Sequence, residues 1–133
     1  MSPSFLVDTD WIIHFLNGNR EVVEKLRSLS KKGLGVSIIS LAELYEGIYY
    51  STDPMGNEDS LNDFLTGVTV LGIEEEICRI FGKERGRQRK QKRLIGDIDL
   101  LIASTCLYYN LPLLTNNRRH YEMVEGLNIP SFP

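Results

Sequence analysis

The sequence predicts an α/β protein: a single three-layer domain with a mostly parallel four- or five-stranded sheet flanked by helices. Three observations carry this reading. Short apolar runs of strand length alternate with longer segments whose apolar residues recur every three to four positions, as parallel sheets with crossover helices require. The chain has 133 residues, 42% of them hydrophobic, enough for one real core and too few for two ordinary domains. Between the periodic segments stand only turn residues, with no internal repeat, linker or low-complexity stretch.

The elements follow in order. Phe5-Leu6-Val7 is a short buried strand ending at Asp8. Asp10 is placed to cap a helix carrying Trp11, Ile12, Phe15 and Leu16. Asn17-Gly18-Asn19 breaks it, and a second helix fits residues 20–31. Gly33-Leu34-Gly35 turns the chain into the strand Val36–Ile39, and Ser40 opens a third helix with Leu41, Leu44, Tyr45 and Ile48 as its stripe. Residues 51–59 have loop chemistry, a short helix lies around 60–66, and Val68–Leu71 is a third strand. A long helix spans Glu74–Arg93, beginning acidic and ending basic as the helix dipole favours. Its apolar face (Ile77, Ile80, Phe81) stops at Gly82, so the basic half is expected to face solvent and partly to become loop. Residues 98–109 form another apolar helix, Pro112–Thr115 a fourth strand, residues 116–122 a turn or short helix, and Leu127–Ile129 a fifth strand.

Composition excludes several classes. A net charge of −3 with ordinary apolar content argues against disorder. Two cysteines, Cys78 and Cys106, cannot build a disulfide framework and read as small core residues. The first residues lack a basic signal-peptide start, and no apolar run reaches the ~18 residues of a membrane span. A cytoplasmic protein with no membrane partner is expected. The charge is unevenly spread: residues 83–93 (KERGRQRKQKR) hold seven of the fifteen Lys and Arg. A basic stripe on an acidic body suits a polyanion, with Arg85, Arg87, Arg89, Lys90 and Arg93 as phosphate-backbone contacts; a solvated helix face is the plainer alternative.

Ligands of open parallel sheets gather beyond the carboxyl ends of the strands. Asp8 ends the first strand, Glu43 lies near the start of the helix after the second, and Asp99 near the start of the helix before the fourth. Three converging carboxylates repel unless compensated, and a hard divalent cation is the usual compensation. Mg2+ or Mn2+ fits; zinc does not, since His14, His120 and the cysteines have no ligand spacing. Each acid also has a structural alternative. Asp8 and Asp10 can be a strand end and a helix cap, Ser40-Leu41-Ala42-Glu43 matches a capping box, and Asp97 can cap the helix that Asp99 enters. His14 and His120 read as surface residues.

Four stretches then point further. LVDTDWII at 6–13, ISLAELYEG at 39–47, IGDIDLLIAS at 95–104 and LLTNN at 113–117 stand in the order and spacing of the PIN domain family, and the chain from about Phe5 to Asn128 resembles its VapC-type ribonuclease toxins of toxin–antitoxin pairs. The resemblance implies a PIN-like nuclease domain over 1–133 and a Mg2+- or Mn2+-dependent endoribonuclease, with Asp8, Glu43 and Asp99 as catalytic metal ligands. It also implies Thr9, Thr115 and Asn117 as supporting residues, RNA as substrate, a cognate antitoxin and a homodimer. Trp11 and Tyr45 are candidate antitoxin contacts. Many relatives carry a fourth acid near the last motif, where this chain has Asn117 and His120; Asp97 is the acid that could replace it. The alternatives are a housekeeping RNA or DNA processing nuclease and a non-catalytic RNA-binding module.

Overall fold

A computed structural model describes residues 2–131; the outermost positions of the expected domain 1–133, Met1, Phe132 and Pro133, lie outside the described residues. The chain runs β1 (Phe5–Val7), α1 (Thr9–Leu16), α2 (Arg20–Leu29), β2 (Leu34–Ser37), α3 (Ile38–Tyr49), α4 (Pro54–Leu65), β3 (Thr69–Leu71), α5 (Glu75–Gln91), α6 (Asp97–Tyr109), β4 (Leu113–Leu114) and α7 (Arg118–Tyr121). The four strands form one sheet in the order β3-β2-β1-β4. Every pairing is parallel, with Leu6 opposite Gly35 and Leu113, and Val7 opposite Leu114.

Strand alternation sorts the core into two layers. Val7, Val36 and Leu114 face one side with Trp11, Ile12, Leu26, Leu44, Leu61 and Phe64 from α1–α4. Leu6, Leu71 and Leu113 face the other with Leu100, Ile102, Ala103 and Cys106 of α6 and Tyr121. Both faces are covered, so the strands read as continuous apolar runs.

Several boundaries move from their expected places, each for a local reason. Asp8, not Asp10, caps α1, its carboxylate accepting from the Thr9 amide. The capping box at Ser40 dissolves, because Ser37 caps α3 and Ser40 is buried inside the helix. The loop at 51–59 is shortened by α4: Asp53 caps it, accepting from Gly56 N–H, and Pro54 takes the first helical position, where its missing N–H is harmless. Gly96, not Asp97, is the N-cap of α6. There is no fifth strand among the described residues; residues 127–129 meet β4 through a Leu113 N–H to Asn128 carbonyl bond of 2.9 Å without forming a ladder. Cys106 is buried as expected, whereas Cys78 lies beside Ile77 off the apolar face of α5 and is exposed. Trp11, expected at a docking surface, is 4% exposed and donates its indole N–H to Asn116 at 3.0 Å.

The largest departure is in α5. It is helical to Gln91, because its basic half buries a polar seam instead of an apolar one. Glu84 accepts from Arg87 Nε at 2.8 Å and Nη2 at 2.6 Å, from Gln88 Nε2 at 3.1 Å and from the Glu125 amide at 3.3 Å. Those bonds hold its carboxyl below the usual range although burial works the other way. Gln88, 1% exposed, accepts from Arg85 at 3.0 Å and from the Ile95 amide at 3.3 Å. Arg85 also donates to Asp97 at 2.7 Å, and Arg87 to the Met123 carbonyl at 2.6 Å. A buried guanidinium must be paired, as Arg85 is, while Lys83, Arg89, Lys90, Lys92 and Arg93 stay exposed as expected of a solvated stripe. Arg85, buried, is thereby a strut that ties α5 to α6, and Arg87, 29% exposed, ties α5 to the chain after α7. Arg89, Lys90 and Arg93 remain on the exposed end.

Candidate active site

The parallel pairing of β1 with β4 sets Asp8 beside Thr115, one step beyond the Val7–Leu114 pair. Thr115 Oγ1 donates to Asp8 Oδ2 at 2.7 Å. Asp8 Oδ1 accepts from the Thr9 amide at 2.9 Å and lies 3.2 Å from the Tyr121 hydroxyl. The same hydroxyl is 3.2 Å from Asp99 Oδ1. Asp99 Oδ2 is 3.0 Å from His120 Nδ1, which in turn is 3.0 Å from Asn117 Nδ2. The Asn117 amide returns to Thr115 Oγ1 at 3.0 Å. Residues 8, 115, 117, 120, 99 and 121 thus close a ring of polar contacts at the carboxyl end of the sheet. Glu43 joins through Thr9, whose hydroxyl donates to Glu43 Oε1 at 2.7 Å and lies 2.9 Å from Ser40 Oγ. One residue therefore holds two acids, Asp8 by its amide and Glu43 by its hydroxyl.

The electrostatics are uneven. Asp8 is 5% exposed, and its carboxyl is pushed up to about 7, first by burial, then by the charge of Asp10, with Asp99 adding; the bonds from Thr115 and Thr9 oppose the rise. Asp10 is raised as well, chiefly by burial. Its Oδ2 accepts from the Asn116 amide at 3.2 Å and the Trp11 amide lies alongside, but Oδ1 is buried without a hydrogen-bond partner. The Tyr121 phenol is pushed upward by burial and by both neighbouring carboxylates, so it keeps its proton. That single proton satisfies only one acid at a time. A proton on Asp8 completes the pair, with the carboxyl donating to the phenol oxygen and the phenol donating to Asp99. His120 Nδ1 has a similar choice: protonated it donates to Asp99, bare it accepts from Asn117.

The structure brings together Asp8, Thr9, Glu43, Asp99, Thr115 and Asn117. It does not bring in Asp97, which is exposed and held by Arg85. His120 is corrected from a surface residue to a neighbour of Asp99. Tyr121, Asp10 and Ser40 were not anticipated at the site. Tyr121 stands in a four-residue helix with no periodicity to mark its face, and Asp10 reads as a helix cap in sequence.

The donor set is oxygen, hard, and anionic, and it includes an orphaned buried carboxylate oxygen. No three acidic, histidine or cysteine side chains among the described residues close around a point by themselves. Such an edge suits Mg2+ or Mn2+, which keep several waters and take only part of their shell from protein.

Comparison with known proteins agrees with this geometry. The PIN domain family model matches residues 5–126. Ribonuclease VapC2 of Haemophilus influenzae is 32% identical over 124 residues, covering 92% of this chain and 93% of that protein. Ribonuclease VapC1 of Methanocaldococcus jannaschii is 35% identical over 126 residues, covering 93% and 85%. Among solved structures, VapBC2 from Rickettsia felis bound to a DNA fragment from its promoter superposes with a TM-score of 0.90 at 25% identity, covering 97% and 98%. VapBC-1 from nontypeable Haemophilus influenzae gives 0.85 at 29%, covering 96% of each chain. With its parallel sheet, its acids at the strand ends and a family match over nearly its whole length, this chain belongs to the PIN domain family.

Proposed function

We propose that this protein is a Mg2+- or Mn2+-dependent endoribonuclease that hydrolyses RNA phosphodiester bonds, and the toxin of a type II toxin–antitoxin pair. Residues 1–133 act as its single nuclease domain. The observation that carries the reading is the meeting of Asp8, Asp99 and Glu43, residues far apart in sequence, through the shared partners Tyr121 and Thr9.

Asp8, Glu43 and Asp99 would hold the cation, which when bound supplies Lewis acidity at the scissile phosphate and at the attacking water. The chain's own groups do the rest. Thr115 and the Thr9 amide fix the orientation of Asp8, the Thr9 hydroxyl fixes Glu43, and Asn117 aligns Thr115 through its amide. His120 Nδ1 can hold a proton 3.0 Å from Asp99 Oδ2. Arg89 and Lys90, exposed at the basic end of α5, and Arg93 just beyond it attract the RNA backbone without specifying sequence.

The partner would be an antitoxin that covers this acidic edge, an arginine pairing with the carboxylates being the chemistry that fits. Tyr45, partly buried and stacked on Tyr49 at 5.9 Å, remains a candidate apolar contact. The active unit is a homodimer in the cytoplasm; among the described residues no helix is long and apolar enough to cross a membrane. The direct test is RNA cleavage by the Asp8→Asn variant. Loss of Mg2+-dependent cleavage is expected, and undiminished cleavage removes the mechanism. Growth arrest on expression, relieved by a co-expressed small DNA-binding protein encoded beside it, tests the toxin assignment. Size-exclusion chromatography at high concentration tests the dimer, which a monomer alone would refute.

A further inference from the structure

We infer that the Tyr121 hydroxyl is a positioning group for the acidic site: it sets Asp8 against Asp99 and so determines how well the pair accepts a divalent cation. The inference rests on the metal-dependent reading above.

Packing does not explain the hydroxyl. The Tyr121 ring is 0% exposed and sits among Leu100, Ile102, Leu113 and Val124, where a phenylalanine ring would fill the same space. Burying a hydroxyl is unfavourable unless it is bonded, and here its partners are two carboxylates, each at 3.2 Å. No other side-chain atom in the described contacts touches both Asp8 and Asp99. The tether is also firm. The Tyr121 amide donates to the Asn117 carbonyl at 3.3 Å, and its carbonyl accepts from the Val124 amide at 3.0 Å. Two residues on, Arg87 grips the Met123 carbonyl, and Glu84 takes the Glu125 amide. The polar seam of α5 thus anchors the segment that carries the phenol. A neutral phenol is a poor cation ligand, so its part is to orient the acids that are good ones. Removing partners of this kind commonly costs 10- to 100-fold in metal affinity.

The test is Tyr121→Phe, with Mn2+ affinity measured by calorimetry on the metal-free protein at one fixed pH and thermal unfolding followed in parallel. The expected result is a folded protein whose Mn2+ affinity falls about 10-fold or more, with cleavage requiring a correspondingly higher Mn2+ concentration. An affinity within about twofold of the parent, or a tighter one, overturns the inference. If Tyr121→Phe fails to fold, 4-fluorophenylalanine at position 121 keeps the length of the side chain while deleting the donor, and the same criterion applies. Asp8→Asn separates this from the broader reading. Loss of Mn2+ binding in Asp8→Asn with no change in Tyr121→Phe refutes only the role of the hydroxyl; unaltered Mn2+ binding and cleavage in Asp8→Asn refute the metal site itself.

Discussion

Asp8 and Glu43 share Thr9 as a neighbour yet live under opposite conditions. Asp8 is buried, bonded at both oxygens, and holds its proton to about pH 7. Glu43 is exposed and held by one hydroxyl. Burial and neighbouring charge therefore fall on the sheet-side acid. Sites are often kept in states that a stability-driven sequence would avoid, and here that tension sits on Asp8 and, beside it, Asp10.

The comparison can be broken most decisively at Asp8. Asp8→Asn should reduce RNA cleavage by more than about 100-fold, beyond what loss of an orienting partner does, and should raise the melting temperature of the metal-free protein above pH 7. Destabilisation by Asp8→Asn at that pH would show that burial strain is absent. The next effect is in the pH dependence of stability. The carboxyl of Asp8 titrates near 3.8 when unfolded and near 7 when folded, so between those values the folded state holds a proton that the unfolded state has released. Stability of the metal-free protein then falls as pH rises from about 4 to about 7, by on the order of a few kcal/mol, and levels off above. Asp10, raised in the same direction, adds to the slope. Denaturant titrations at a series of pH values should show this fall, and Asp8→Asn should flatten it.

Glu43→Gln sharpens the contrast from the other side. Cleavage should drop strongly, while stability changes by less than about 0.5 kcal/mol, as for surface substitutions generally. A large stability change would place Glu43 in the same strained class as Asp8. The smallest expected effects come from α5, which repeats the contrast between inward and outward charges. Replacing Arg89, Lys90 and Arg93 by alanine should weaken RNA binding and lower its salt dependence by a slope of roughly 2, with cleavage chemistry intact. Arg85→Ala should leave that slope unchanged and lower the melting temperature instead.

The alternation of short apolar runs with amphipathic segments made the layers and the four strands legible, because a sheet covered on both faces leaves a simple trace in sequence, though the second strand runs Leu34–Ser37 and the expected Ile38 and Ile39 open α3 instead. Asp8, Glu43 and Asp99 were legible as strand-end and helix-start acids, and Thr9, Thr115 and Asn117 were pointed to beside them by the family resemblance. What failed was local competition among similar signals. Ser37 and Ser40 are equally good caps by type, and only the length of β2 decides between them. Asp53-Pro54 is both a turn and a helix start, and it opened α4 where a loop was expected. The basic run gave no sign that Glu84 and Gln88 turn inward, because buried polar seams share the composition of exposed faces. Tyr121 was hidden for a further reason: its partners lie 113 and 22 residues away, and a distance of that kind is settled by tertiary packing alone.

The two thiols turn this asymmetry into an instrument. Cys78 is open to solvent on α5, whereas Cys106 is 1% exposed, its thiol held upward by burial first and by the nearby Asp8 charge second. A brief alkylation of the native protein should therefore mark one sulfur and spare the other. The rate at which a second adduct accumulates would clock the opening of the layer behind the acidic edge, without any label attached to the edge itself.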